Sequence, residues 1–306
     1  MRIRIPENEE LFGTESSSFE AFHYMQSWLK VLTRDFPHRF HFGVVDDIQS
    51  MEASFIYSII KNFSSVYLLA TQNNDYAAIA TLIRAIADRI VILKLIYANK
   101  DTMEREYRYY LYILDGMKKR SDLLIDKIEY DGKISEAEYS TLVKQMQEAK
   151  CNTEQVISFC TQRLNQHEYA KTNPQFHQVV LKNTNWQYKE FGKFGKNGNV
   201  AKYKWEDLYS LIDNRKTVTS MYSTYFSQFV HGLSVGILPG NDHFENFDAL
   251  MSVGICLQGI VLDELKKRFN QDSALLNNVT FEDLAFISSQ LSEEILIKIN
   301  ASNTKV

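Results

Sequence analysis

Within "MYSTYFSQFVHGL", residues 221–233, Ser227 and His231 stand four apart, with Tyr222 just ahead of them. On a helix that spacing puts the two side chains one turn apart on the same side. A hydroxyl there can orient an imidazole, which then serves as general acid or base, or grips an anion. On a helical wheel Tyr222, Tyr225, Phe226, Phe229, Val230 and Leu233 form a broad apolar face. Ser223, Ser227, His231 and Ser234 form a narrow polar stripe along its border. Gly232 and "SVGILPG" follow, so His231 is expected near the helix end, where the dipole favours its charged form. The bland alternative is a core histidine hydrogen-bonded to Ser227 or to a carboxylate.

A second pair sits in "AAIATLIRAIADRIVILKLIY". Arg84 and Asp88 are one helical turn apart, among Ala77, Ala80, Val91 and Leu95. Charge amid small apolar neighbours predicts a pair that is buried or lines a cleft, because an unpaired buried charge costs several kcal/mol. Two readings follow: an ion pair that fixes helix packing, or part of a site that faces His231. The run is about as long as a membrane span. Arg84, Asp88, Arg89 and Lys94 inside it predict a buried core helix instead.

Taken together, "LIRAIADRIVILKLIY" and the later Tyr222, Ser227 and His231 resemble DUF5677, a family of bacterial all-helical proteins of unknown function. That pattern has an Arg, an acid four residues later, and a later helix with Tyr, then Ser, then His. Arg84, Asp88, Tyr222, Ser227 and His231 match it one by one; Asp88 stands where the family usually has Glu. Trp205 can fill the place of a recurring Trp ahead of the Tyr helix. The resemblance spans roughly residues 50–235 and implies a shared site without naming a reaction.

Other constellations are weaker. HEPN-type ribonucleases place Arg and His on one helix, His as base and Arg against the phosphate, with no metal. In "RDFPHRFH", Arg34 and His41 are spaced in that way, but Pro37 lies between them. "KEFGKFGKNGNVAKYK" offers Lys189, Lys193, Lys196, Lys202 and Lys204 to phosphates of RNA, with Phe191, Phe194 and Tyr203 for stacking. It lacks the P-loop order, and such a run is more often a solvated loop. Asp242, His243 and Glu245 hint at a metal site, but Asp242 is more simply an N-cap. No two helices carry Glu-x-x-His motifs, so no metal or other cofactor is expected. "GICLQG" reads as close helix packing through its two glycines. "YRYYLYILDGM" reads as core, with a share expected to bury against a second subunit, as in a homodimer.

The 306 residues hold only 4 Pro and 12 Gly, which predicts long regular elements. A net charge of −4 gives no general attraction to polyanions, so nucleic-acid binding would need a local basic patch. Cys151, Cys160 and Cys256 have no metal spacing and read as reduced thiols of a cytoplasmic protein. "MRIRIPENEE" has no apolar core, so no signal peptide is expected.

Helices are expected at 15–34, 47–72, 75–99, 102–130 (started by Asp101), 136–168, 205–213, 215–235, 243–270 and 281–300, with caps at Asp75, Ser135/Glu138 and Thr280/Asp283. Residues 171–204, with Pro174 and several glycines, read as an irregular connection packed down by Trp186 and Trp205. The expected fold is one all-α domain, a multi-helix bundle of about eight helices, since no linker composition divides the chain. The helices 75–99 and 215–233 are expected to pack together around Arg84, Asp88, Tyr222, Ser227 and His231. Two functions remain open. One is a bacterial binding or effector module, of a defence or stress system, for a small ligand or protein partner. The other is a metal-independent hydrolase acting on RNA, with His231 as acid/base and Arg84 on the phosphate.

Overall fold

The computed structural model describes residues 18–73, 75–124, 130–231, 244–269 and 279–289. The fold is all-α. The chain divides into two compact units, residues 96–204 forming one and the flanking segments the other. No linker composition marks the division, because its first boundary lies inside a helical run, between Leu95 and Ile96.

The larger unit contains α1 (Ser18–Thr33), the short α2 (Phe36–Arg39), α3 (Ile48–Leu68) and α4 (Tyr76–Ile92). After residue 204 it adds α9 (Trp205–Tyr209), α10 (Lys216–Ser220), α11 (Phe226–Val230), α12 (Phe244–Phe269) and α13 (Phe281–Ser289). Wide π-turns extend three of the runs, at Leu69–Asn73, Leu93–Tyr97 and Met221–Tyr225. Helix α4 is central, as its all-round apolar pattern predicts. Ile79, Ala80, Ile83, Ile86, Ala87, Ile90 and Val91 are fully buried, and α3, α9, α11 and α12 pack against it. Asp75 caps it by accepting from the Ala78 amide at 2.9 Å.

Helix α12 lies close on α1 because residue 254 is glycine. A Cβ there would sit 2.5 Å from the Phe22 ring. Gly259, the other small residue of that stretch, meets nothing within 4 Å, so only one of the two serves close packing. Arg268 forks onto the buried Glu52 carboxylate, tying α12 to α3.

The second unit contains α5 (Thr102–Leu123), α6 (Glu136–Gln166), α7 (Glu168–Thr172) and α8 (Pro174–Lys182). The Ser135/Glu138 capping box opens α6 as expected. The expected irregular connection is helical at its start. Asn173 accepts from the Phe176 amide and Pro174 occupies the first turn, where proline is tolerated, so α8 begins at the residue read as a breaker. Beyond Lys182 the chain turns back on itself in a tongue, residues 186–204. Lys189 donates to the Ala201 carbonyl and Tyr203 to the Gln187 carbonyl, both at 2.8 Å. Isolated antiparallel bridges join Tyr188 to Lys202 and Phe194 to Val200. Trp186 is buried as expected; Trp205 is 38% exposed and is not the anchor the sequence suggested. Tyr107, Tyr109, Tyr110, Leu111 and Leu114 are buried within the single chain, so they need no second subunit to cover them.

Candidate functional site

Arg84 and Asp88 project from α4 into the angle made by α9 and the run α10–α11. Arg84 Nε lies 3.2 Å from Asp88 Oδ1, an ion-pair contact rather than a directed hydrogen bond. A terminal nitrogen of Arg84 donates to the Tyr222 carbonyl. The guanidinium lies over the Tyr209 ring at 4.6 Å and reaches toward the Trp205 ring at 6.0 Å. The Tyr209 hydroxyl donates to Asp88 Oδ1. Tyr209 and Tyr222 stack obliquely, with ring centres 5.3 Å apart. Burial pushes the Asp88 carboxyl above the usual carboxylate range, against the opposing pull of the Tyr209 hydroxyl and the Arg84 charge. Burial and the bond to Asp88 raise the Tyr209 phenol in turn.

The π-turn at Met221–Tyr225 makes this arrangement available. In a regular α-turn the Phe226 amide would bond to the Tyr222 carbonyl. Here it bonds to the Met221 carbonyl instead, and the Tyr222 carbonyl takes Arg84. The same turn rephases everything downstream, so a wheel drawn through residues 222–233 at a constant period misplaces its far end. Tyr222, Phe226 and Phe229 are buried, whereas Tyr225 and Val230 are 37% and 48% exposed. Tyr225 instead meets the Tyr76 hydroxyl at 2.8 Å.

Of the five expected site residues the structure therefore unites three, Arg84, Asp88 and Tyr222. Ser227 is half-buried and His231 is exposed at the end of α11. The His231 amide bonds to the Ser227 carbonyl at 3.2 Å, and among the described residues no side-chain hydrogen bond or ion pair joins either residue to Arg84 or Asp88. Tyr209 takes the place foreseen for His231. Its signal was present in "WEDLYSLID", but a helix there was expected to run to 213 and carried no chemistry by itself.

The other constellations resolve as follows. Arg34 pairs with Asp283 at 2.6 Å, and His41 is exposed in the turn beyond α2, so the two are not a ribonuclease pair. Phe191 and Phe194 face inward, 4.8 and 5.9 Å from Phe176, and do not offer stacking platforms. Residues 242 and 243 lie outside the described residues, as does the side chain of Glu245. Among the described residues no three His, Cys, Asp or Glu groups converge as metal ligands. No helix of the described residues is long and apolar enough to cross a membrane.

No family model, curated protein or solved structure matches this chain.

The second unit holds a polar core that the sequence concealed. Arg108 is 1% exposed. It donates to the carbonyls of Trp186 and Tyr188 at 2.6 and 2.9 Å, pairs with Glu104 one turn earlier, and lies 3.8 Å over the Tyr188 ring. Beside it the Tyr107 hydroxyl meets His177 Nδ1 at 2.9 Å, while His177 Nε2 meets Asn165 Oδ1 at 2.9 Å. With burial favouring the neutral imidazole, the network fits a His177 that carries its proton on Nε2. His167 Nδ1 accepts from the Tyr169 amide and caps α7. Burial depresses both imidazoles, and each histidine adds to the Tyr107 aromatic surround. The Glu104/Arg108 spacing was the available signal. It lay inside a run whose many tyrosines read simply as core.

Proposed function

We propose that this chain is a binding or effector module, of the DUF5677-like kind found in bacteria and tied to defence or stress, rather than a hydrolase. The observation that carries the reading is that the charged groups of the Arg84 seam are engaged with one another, Arg84 Nε through an ion-pair contact alone. Arg84 is occupied by Asp88 and by the Tyr222 carbonyl, and Asp88 by Tyr209. A catalytic arginine would instead be held with donors directed at open space where a phosphate could sit. Among the described residues no side chain orients the exposed His231 as a general base requires. The joint placement of Arg84, Asp88 and Tyr222 also supports the family resemblance, with the seam as a clamp that holds α9 and the π-turn on α4.

The test is a set of RNA-cleavage assays on the wild type and on His231→Ala. The module reading expects no metal-independent cleavage by either protein. Cleavage by the wild type that His231→Ala abolishes would restore the hydrolase.

A further inference from the structure

We infer that the tongue of residues 186–204 is a docking surface for the phosphate backbone of a nucleic-acid strand, bound without regard to sequence. Between Trp186 and Lys204 the chain carries Lys189, Lys193, Lys196, Lys202 and Lys204 against the single acid Glu190, in a protein whose net charge is −4. All five lysines are exposed. Lys193 pairs with that one acid, and by sequence the tongue carries five lysines against it. The positive charge is therefore local, on a chain that otherwise repels polyanions.

The tongue is also held rigid. At its base Arg108, itself 1% exposed, grips the carbonyls of Trp186 and Tyr188. Tyr188 is fully buried, and Phe191 packs at 3.9 Å on Tyr169 and 4.8 Å on Phe176. At the turn, Gly192 has φ of +74° and lies where a Cβ would come within 2.8 Å of the Asn173 side chain, so both its backbone and its packing call for glycine. A solvated loop needs none of these anchors. A surface fixed in advance loses less entropy when it binds.

The composition of the outer face chooses the partner. Phe191 and Phe194 turn inward, Tyr203 is half-buried beneath the Lys189 ammonium, and what remains exposed is chiefly lysine, with Glu190, Asn197 and Asn199. Protein–protein interfaces concentrate aromatic residues and arginine at their centre and are depleted in lysine. A phosphate backbone asks only for point charges and amide donors, which suits this face. The tongue belongs to the second unit, and the inference does not rest on the Arg84 seam.

The experiment uses the full chain and fluorescein-labelled single strands of about 20 nucleotides, in RNA and DNA versions, titrated by anisotropy from 50 to 200 mM salt. Both strands are expected to bind in the micromolar range at low salt and within a few-fold of each other, since lysines meet phosphates and not the 2′-hydroxyl. Lys196→Glu/Lys202→Glu is expected to weaken binding at least tenfold. It should also flatten the log K against log salt slope by roughly 1.4, about 0.7 for each phosphate that no longer meets a lysine. Lys133→Glu/Lys144→Glu changes the net charge equally at exposed positions of the same unit and is expected to bind as the wild type does. Circular dichroism of each variant establishes that it is folded. Absence of binding at 50 mM salt overturns the inference, as does an equal loss in the Lys133/Lys144 control. Displacement of the strand by polyglutamate at matched charge also overturns it, in favour of an acidic protein.

Discussion

Replacing Arg84 by Met keeps most of the side-chain volume and removes the guanidinium. Asp88 then loses its counter-charge, the Tyr222 carbonyl its donor, and the Tyr209 ring its cation. The Arg84 and Asp88 side chains are 13% and 30% exposed, so the pair lies between a surface ion pair, worth about 0–1 kcal/mol, and a buried one whose breaking costs about 3–5 kcal/mol. A charge-assisted bond to a carbonyl contributes about 1.5–3 kcal/mol. Solvent screening at Asp88 reduces the sum, and a loss of about 2–3 kcal/mol is expected. For a cooperative unit of 150–250 residues each kcal/mol moves Tm by about 2–4 °C, so the variant should melt roughly 4–12 °C lower. The pH dependence sharpens the test. Asp88 is already raised by burial, and without Arg84 it rises further. A raised carboxyl favours its neutral form in the folded chain. The Asp88 share of the penalty is therefore small near pH 4, grows as pH rises, and levels off above the raised value, on top of the pH-independent loss of the bond to the Tyr222 carbonyl. Thermal melts of Arg84→Met and the wild type from pH 4 to 8 measure both effects, with the exposed His231→Ala as a control expected within about 0.5 kcal/mol of the wild type. If Arg84→Met melts within a degree of the wild type at pH 8, the seam is not a clamp and the argument drawn from its mutual engagement fails.

Three further outcomes are expected. His167 accepts a hydrogen bond at Nδ1, and burial depresses both His167 and His177, so the folded state prefers them neutral. Their stabilising contribution is complete above the unfolded value of about 6.5 and is lost as pH falls below it; a His177→Gln variant whose Tm falls between pH 7 and 5 as steeply as the wild type's contradicts this. Arg108→Met should cost about 3–5 kcal/mol, because Glu104 and two carbonyls lose their partner, and should speed amide exchange at Lys189 and Tyr203; unchanged protection at those amides would show that Arg108 does not pin the tongue. Gly254→Ala drives a methyl into the buried Phe22 ring and should cost about 1–3 kcal/mol by urea denaturation, while Gly259→Ala, in open space, should not destabilise by overpacking.

The local signals in this sequence determined the long helices, though not α8, which forms inside the expected irregular connection. The all-round apolar pattern of residues 76–92 could only be a central helix, and Asp75, Asp101 and Ser135 could cap their helices because each bond needs only neighbours three residues away. The Arg84/Asp88 pair was legible for the same reason, since one helical turn fixes its geometry. What lies beyond a turn was decided by packing. The π-turn at Met221–Tyr225 inserts a register shift that no periodicity announces, and it exchanges His231 for the Tyr222 carbonyl as the neighbour of Arg84. Tyr209 reaches Asp88 across 121 positions, Arg108 reaches Trp186 across 78, and Tyr107 reaches His177 across 70. A hydrogen bond of that separation leaves no pattern in one sequence. The residues at its two ends are individually ordinary, and only the path of the chain between them brings donor to acceptor.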